Sequence, residues 1–325
     1  MSVEVYDVMQ CDVRHGQSIH NGTGIFHGGS PGEDVLLTDR GQCQGVAAGL
    51  LMKRLVEVAK FTPVTAIHHS SLPRARQTGR LVAEAYGFPT VVVLPGTEEV
   101  DHGQLQFAGL PDEMADIERA QTTGAFLAAL SRFKTVDAET RAKHGGWVAP
   151  NGWGDGKSYA DVAIETYTAT DRFLGQNGAV FVGHNGAQRQ SRALRGTIRL
   201  NDRRELAALH AALPFQEARA ANKEVVIAFR ERNGRGPNPL ELETLLMPLA
   251  EASVPLILEL GRLSVPAIDG VVQNKTKLGN GTIATYGVLA DGRIVRDQLF
   301  APIVLDENVG LTPDSFTITP GSDWI

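Results

Sequence analysis

The feature that most constrains this chain is a repeated local order: a short run rich in β-branched residues, a polar break, then a stretch of helical pattern. Val3 to Val13 breaks into Arg14-His15-Gly16-Gln17-Ser18 and a glycine-rich loop containing Gly22, Gly24, Gly28, Gly29 and Gly32, and a helix is predicted from Asp39 to Lys60. Val64 to Ile67 ends in His68-His69-Ser70-Ser71, before a helix that carries Arg74, Gln77 and Thr78 and stops near Gly87. Thr90 to Leu94 reads as a short strand ahead of Glu98-Glu99, and Ala179 to Val182 runs into Gly183-His184-Asn185-Gly186 and another helix. This alternation predicts an α/β protein, a three-layer αβα sandwich with a mostly parallel central sheet. It also sets charged and nucleophilic residues just beyond the carboxyl ends of three parallel strands, where open α/β sheets bind their ligands.

After Asn201 the pattern changes to long helical stretches, Glu205 to Leu213, Glu217 to Arg232 and Pro239 to Leu263, punctuated by Gly234, Gly236 and Pro237. Thr282 to Leu289 and Arg293 to Val295 then flank Ala290-Asp291-Gly292, a hairpin signal that adds edge strands. The expected organisation is a discontinuous α/β domain from residues 1–200 and 270–305, a helical insertion at 201–269 and an extended tail at 306–325.

A formal charge of −6 and a pI near 5.9 give no general basic field, so nucleic acid is not an expected partner and any anion site must be a local cluster. Cys11 and Cys43 make neither a disulfide framework nor a metal-ligand spacing. The N-terminus lacks the charged start and apolar run of a signal peptide. The most apolar stretch, Leu245 to Val265, holds Pro248, Glu251, Pro255, Glu259 and Arg262, which a bilayer span does not tolerate. A cytoplasmic protein without a membrane anchor is therefore expected.

An imidazole held at a strand end beside a guanidinium can attack phosphorus while the arginine forks two oxygens of the same group. Arg74 would add a second fork, since a phosphoryl group in transfer spreads charge over three equatorial oxygens. The blander reading keeps His15 and His184 as hydrogen-bonded histidines at the core's edge and the arginines at the surface.

Taken as an ordered set, the motifs say more. Arg14-His15-Gly16-Gln17-Ser18 with Asn21, Asp34-x-x-Leu37-Thr38-x-x-Gly41-x-x-Gln44, Ser70-x-Leu72-x-Arg74-Ala75-x-Gln77-Thr78, Glu99 ahead of His102-Gly103, and Gly183-His184 resemble the histidine phosphatase superfamily in its phosphoglycerate-mutase-like branch. The resemblance implies hydrolysis of a small-molecule phosphomonoester, without metal or other cofactor, through a phosphohistidine on His15. It implies a phosphate pocket of Arg14, Asn21, Arg74 and His184, with Gln17 and Ser18 as further substrate contacts, and Glu99 as proton donor to the leaving oxygen. The neighbouring carboxylates Glu98 and Asp101 could take the acid role instead. Lys157 in Gly156-Lys157-Ser158 stands where many members have Glu. A homodimer is compatible with the reading. The alternatives are a mutase, which returns the phosphoryl group to another hydroxyl, and a non-catalytic protein that binds a phosphorylated ligand for regulation. The stretch from Gln104 to Asp116 lacks the paired arginines of mutases that act on carboxylated substrates, which favours a phosphatase.

Three rival signals weigh less. Asn151 to Ser158 resembles a nucleotide-binding phosphate loop but has Asn151 where its first glycine belongs, so it reads as a capping loop near Ser158. His68 and His69, being sequential, point in different directions and cannot share a metal. Arg189, Arg192, Arg195, Arg199, Arg203 and Arg204 read as a solvated basic face.

Overall fold

The computed structural model describes residues 5–23, 28–29, 36–58, 63–87, 90–101, 156–157, 159–173, 178–197, 200–234, 241, 245, 279–289, 294–300 and 311–316. The strands are β1 (Val5–Arg14), β2 (Ala66–His69), β3 (Val91–Val93), β4 (Ala179–Gly183), β5 (Ile283–Leu289) and β6 (Ile294–Phe300). The helices are α1 (Ile19–Thr23), α2 (Asp39–Val58), α3 (Pro73–Tyr86), α4 (Tyr159–Asp171), α5 (Asn185–Thr197), α6 (Leu200–Ala211) and α7 (Leu213–Asn233).

The strands form one six-stranded sheet in the order β3-β2-β4-β1-β5-β6. β3, β2, β4 and β1 run parallel, while β5 and β6 return antiparallel, as the hairpin signal predicts. Register fixes the faces. Cys11 and Val13 on β1 lie beside Val180 and Val182 on β4, and Ile67 pairs with Val180. These residues form the main core with Ala47, Ala48, Leu51, Met52 and Leu55 of α2 and Val82 and Ala83 of α3. α4 and α5 pack together on the other face, where Phe181 joins Leu94 and Ala179, and Ala187 joins Val100 and Val162. The three-layer architecture follows from these two apolar surfaces.

α2 and α3 approach closely because α2 carries glycines on its inner side. A Cβ at Gly49 would lie 2.6 Å from the carbonyl oxygen of Val82 and 2.7 Å from the Ala85 Cβ. α3 ends at Gly87, whose φ of 87° lets its N–H turn back to the carbonyls of Ala83 and Glu84. The predicted helix stops were therefore accurate to a residue or two at Gly87 and α2, whereas β2 extends two residues further than the sequence suggested and takes in His68 and His69. Those two imidazoles alternate across the sheet: His68 packs on Phe173 and Phe181, and His69 lies against Gly79 of α3.

α6 and α7 follow α5 in the stretch expected to be a helical insertion, and α6 packs on both α4 and α5. The predicted third helix, from Pro239 to Leu263, lies almost wholly outside the described residues. Within the tail, residues 311–316 dock on the main core: Phe316 is buried with it, Leu311 packs against it, and Asp314 bonds Arg54 at 2.9 Å. Among the described residues no helix is long and apolar enough to cross a membrane.

The basic run after His184 departs from expectation. Arg192, Arg195 and Arg203 are buried, with Arg195 and Arg203 among the largest fully enclosed side chains. Arg195 bonds Asp171 at 3.0 Å and Thr170 Oγ1 at 2.7 Å, and the guanidiniums of Arg195 and Arg203 stand 4.7 and 5.3 Å from the Tyr167 ring centroid. Arg195 lies on α5 and Arg203 on α6, both helices pack on α4, and α4 supplies Arg195 with a carboxylate and a hydroxyl and both guanidiniums with an aromatic face, which makes their burial tolerable. Arg204 is exposed as expected, and Arg199 lies outside the described residues.

Candidate active site

β1 ends at Arg14, and the next residue, His15, is 2% exposed. Its Nδ1 lies 2.7 Å from the carbonyl oxygen of Gly16. A carbonyl only accepts, so Nδ1 carries the proton and Nε2 keeps its lone pair. The Nε–H of Arg74 faces that Nε2 at 3.3 Å. The imidazole is thus fixed in one tautomer with its nucleophilic nitrogen turned to a guanidinium.

The loop around His15 is braced from three sides by motif residues. Gly16 N donates to Thr78 Oγ1 at 3.0 Å, Gln17 N to Gln44 Oε1 at 2.7 Å, and Leu37 N to Gln77 Oε1 at 2.9 Å. Thr38 caps α2 by accepting the N–H of Gly41, and its hydroxyl also reaches the Gln17 carbonyl and side chain. A Cβ on Gly16 would sit 2.1 Å from the carbonyl oxygen of Gly41. These contacts give the spacing of Thr38, Gly41, Gln44, Gln77 and Thr78 a physical role in holding the His15 loop.

Arg74 sits in the first turn of α3 and is fully buried. Its Nη2 donates to the Gly28 carbonyl at 2.6 Å, while Nη1 makes no hydrogen bond among the described residues. Burial lowers its pKa to about 10, offset in part by attraction to Glu99 and reinforced by repulsion from Arg14, so it stays cationic at neutral pH. Burial also lowers the pKa of Arg14, again against the pull of Glu99. His184 follows β4, is fully buried, and its Nε2 lies 2.8 Å from Ser70 Oγ at the end of β2. The rings of His15 and His184 are 5.1 Å apart, centroid to centroid.

Glu99 sits at the N-terminus of α5. Oε1 accepts the N–H groups of Val100 at 2.9 Å and Ala187 at 3.0 Å, and Oε2 accepts that of Gly186 at 3.0 Å. Its neighbour Glu98 is occupied elsewhere: its carboxylate holds the Ser71 amide and hydroxyl at 3.3 and 2.7 Å and the Gly96 amide at 2.8 Å. Of the three carboxylates left open by the sequence, Glu99 is the one whose charge acts on both Arg14 and Arg74.

His15, Arg14, Arg74, His184 and Glu99 therefore meet at the carboxyl edge of the sheet. Asn21 joins them from α1, where its Oδ1 accepts Ser18 N at 3.4 Å. Gln17 and Ser18 are engaged within the loop: Gln17 Oε1 accepts from Thr38 at 3.1 Å, and the fully buried Ser18 takes the Asn21 amide at 3.3 Å. Lys157 pairs with Glu165 at 2.5 Å, so its charge is answered by α4 and not aimed at a phosphate. Among the described residues, no three His, Cys, Asp or Glu side chains converge as metal ligands. Asn280 and Gly281, which touch the His15 loop from the β5 side, were missed by sequence reasoning. Only an Asn-Gly turn ahead of a strand hinted at them.

A doubly wound α/β sheet with two histidines and two arginines at its carboxyl edge defines a class of phosphoryl-handling proteins. The family model described as the histidine phosphatase superfamily, branch 1, matches residues 12–213, and the chain belongs to that superfamily. Several solved structures are similar at low identity. An alpha-ribazole phosphatase from Shigella flexneri is 16% identical, covering 92% of this chain and 99% of its own, with a TM-score of 0.45. A mycobacterial glucosyl-3-phosphoglycerate phosphatase is 17% identical, covering 90% and 97%, also at 0.45. Bacillus stearothermophilus YhfR is 13% identical, covering 92% and 100%, at 0.47. No curated protein sequence matches the chain.

Proposed function

We propose that the chain hydrolyses phosphomonoesters in two steps through a phosphohistidine at His15 Nε2, with no metal ion. The observation that carries this reading is the His15 tautomer: Nδ1 is committed to the Gly16 carbonyl, and Nε2 faces a buried arginine. In the first step the Nε2 lone pair attacks phosphorus and the bond from phosphorus to the leaving oxygen breaks. Arg14, Arg74, Asn21 and His184 hold the equatorial oxygens, and the two guanidiniums supply the positive charge that a metal provides elsewhere. Glu99 protonates the leaving oxygen. Oε1 already accepts two amides and Oε2 only one, so the proton travels through Oε2. In the second step Glu99 takes a proton from water, the resulting hydroxide oxygen bonds phosphorus, and the P–N bond returns its pair to Nε2.

Phosphatase is preferred over mutase because the stretch from Gln104 to Asp116 lacks the paired arginines with which mutases hold a carboxylated substrate. We place the enzyme in the cytoplasm, a reading supported by two cysteines that are both free thiols. The test of the acid role compares leaving groups. Glu99→Gln should cost roughly a hundred- to ten-thousand-fold in turnover of an alkyl phosphate and far less for an aryl phosphate with a good leaving group. Equal losses on both substrates would remove Glu99 from that role.

A further inference from the structure

The turn that precedes β5 grips the catalytic loop. Gly281 N donates to the carbonyls of Arg14 and His15 at 3.2 and 3.3 Å, and Arg14 N donates to Thr282 O at 3.1 Å. Between these bonds lies the side chain of Asn280. Its Nδ2 is 3.2 Å from the carbonyl oxygen of His15 and 3.2 Å from Asn21 Oδ1.

The backbone groups settle how both amides are turned. The His15 carbonyl only accepts, so Asn280 must direct its NH2 at it, and that same NH2 meets Asn21. Asn21 must answer with its oxygen. Ser18 N, which only donates, touches the same Asn21 oxygen at 3.4 Å and imposes the same orientation. The Asn21 Nδ2 is thereby forced away from Asn280, and it makes no hydrogen bond among the described residues. An amide whose oxygen is held twice and whose two N–H groups are unused is a donor prepared for an anion.

We infer that Asn280 is a positioning residue: it locks the Asn21 amide with its two N–H groups toward the phosphoryl site. It rests on the proposed phosphate pocket, and Asn280 lies outside the stretch matched by the family model, 259 residues from Asn21. In Asn280→Asp the carboxylate could donate to neither partner. Asn21 would then turn its NH2 toward position 280 and present its oxygen to the phosphate, which reverses the interaction.

The experiment measures inhibition by inorganic phosphate, together with KM, kcat and thermal midpoint, for wild type and for Asn280→Ala, Asn280→Asp, Asn21→Ala and both double variants. Asn280→Ala should weaken phosphate binding by about tenfold, as should Asn21→Ala, and the near-isosteric Asn280→Asp should weaken it further. In the Asn21→Ala background, either change at 280 should cost less than about twofold more, because coupled residues are not additive. A structural role alone would lower the thermal midpoint and multiply with Asn21→Ala. Phosphate binding unchanged in Asn280→Ala, or losses that multiply in the double variants, would overturn the inference while leaving the pocket intact. If Asn21→Ala itself binds phosphate as wild type does, the pocket assignment of Asn21 fails and the inference falls with it.

Discussion

A histidine attacks phosphorus only through a nitrogen that carries a lone pair, and at position 15 the backbone decides which one. The same economy of contacts governs the other residues of the site. Arg74 reaches Gly28 O with Nη2 and His15 with Nε, a geometry one ammonium cannot reproduce. Arg74→Lys should therefore lower kcat/KM for an aryl phosphate by about a hundredfold or more, even though charge is retained. Activity within severalfold of wild type would show that charge alone suffices. Glu99 depends on a missing methyl group, because a Cβ at Gly186 would come 2.2 Å from its Oε1. Gly186→Ala should displace the carboxylate and reproduce the leaving-group dependence of Glu99→Gln, an effect visible in the alkyl-to-aryl rate ratio. Cys11, by contrast, has no part in the chemistry: burial, aided by Asp12, raises its thiol to about 12, so it should resist thiol reagents in the folded state.

At the scale of elements, loop and helix positions follow from a few close approaches. A glycine in a helix costs about 1 kcal/mol relative to alanine, so propensity alone favours Gly41→Ala in the first turns of α2. The site contradicts propensity: a Cβ there would lie 2.1 Å from the Gln17 carbonyl. The clash with a fixed backbone atom outweighs the gain. Gly41→Ala should lose stability, read as a fall in thermal midpoint, and lose activity through the displaced Gln17 segment. What was legible in the sequence at this scale was the local signal. The Asp39 start, the Gly87 stop and the antiparallel pairing of β5 with β6 are written in neighbouring residues. The extension of β2 over His68 and His69 was not, because sheet pairing with β3 and β4 overrides the low strand propensity of histidine. Asn280 was illegible for a related reason, since its meaning lies entirely in residues far away in the chain.

The whole molecule places its polar interior unevenly. The main core under α2 and α3 is a continuous apolar cluster, whereas the α4 face encloses Asp12, His68, Thr166, Gln188 and Ser191 around a small cavity. The same face buries the arginines that sequence patterning assigned to solvent, because charge patterning carries no information about which partners α4 will offer. Burial lowers the pKa of both His68 and His69, with nearby arginines adding to it. Above their ordinary range near 6.5 both states are neutral and these groups leave stability unchanged. As pH falls below it, the unfolded chain binds protons that the folded chain refuses. Stability should then decline by up to about 1.4 kcal/mol per pH unit for each histidine. Equilibrium unfolding between pH 7 and 5 should show that decline, and His68→Phe should reduce its slope; an unchanged slope would assign acid sensitivity elsewhere. A phosphoryl group on His15 is detected by mixing chelator-treated wild type and His15→Ala with an aryl phosphate, quenching in acid and in base, and examining the protein for bound phosphate. Wild type should carry an acid-labile, base-stable adduct that maps to His15 and is absent from His15→Ala, with turnover surviving chelation. Undiminished turnover in His15→Ala, or turnover abolished by chelation, would contradict the phosphohistidine mechanism.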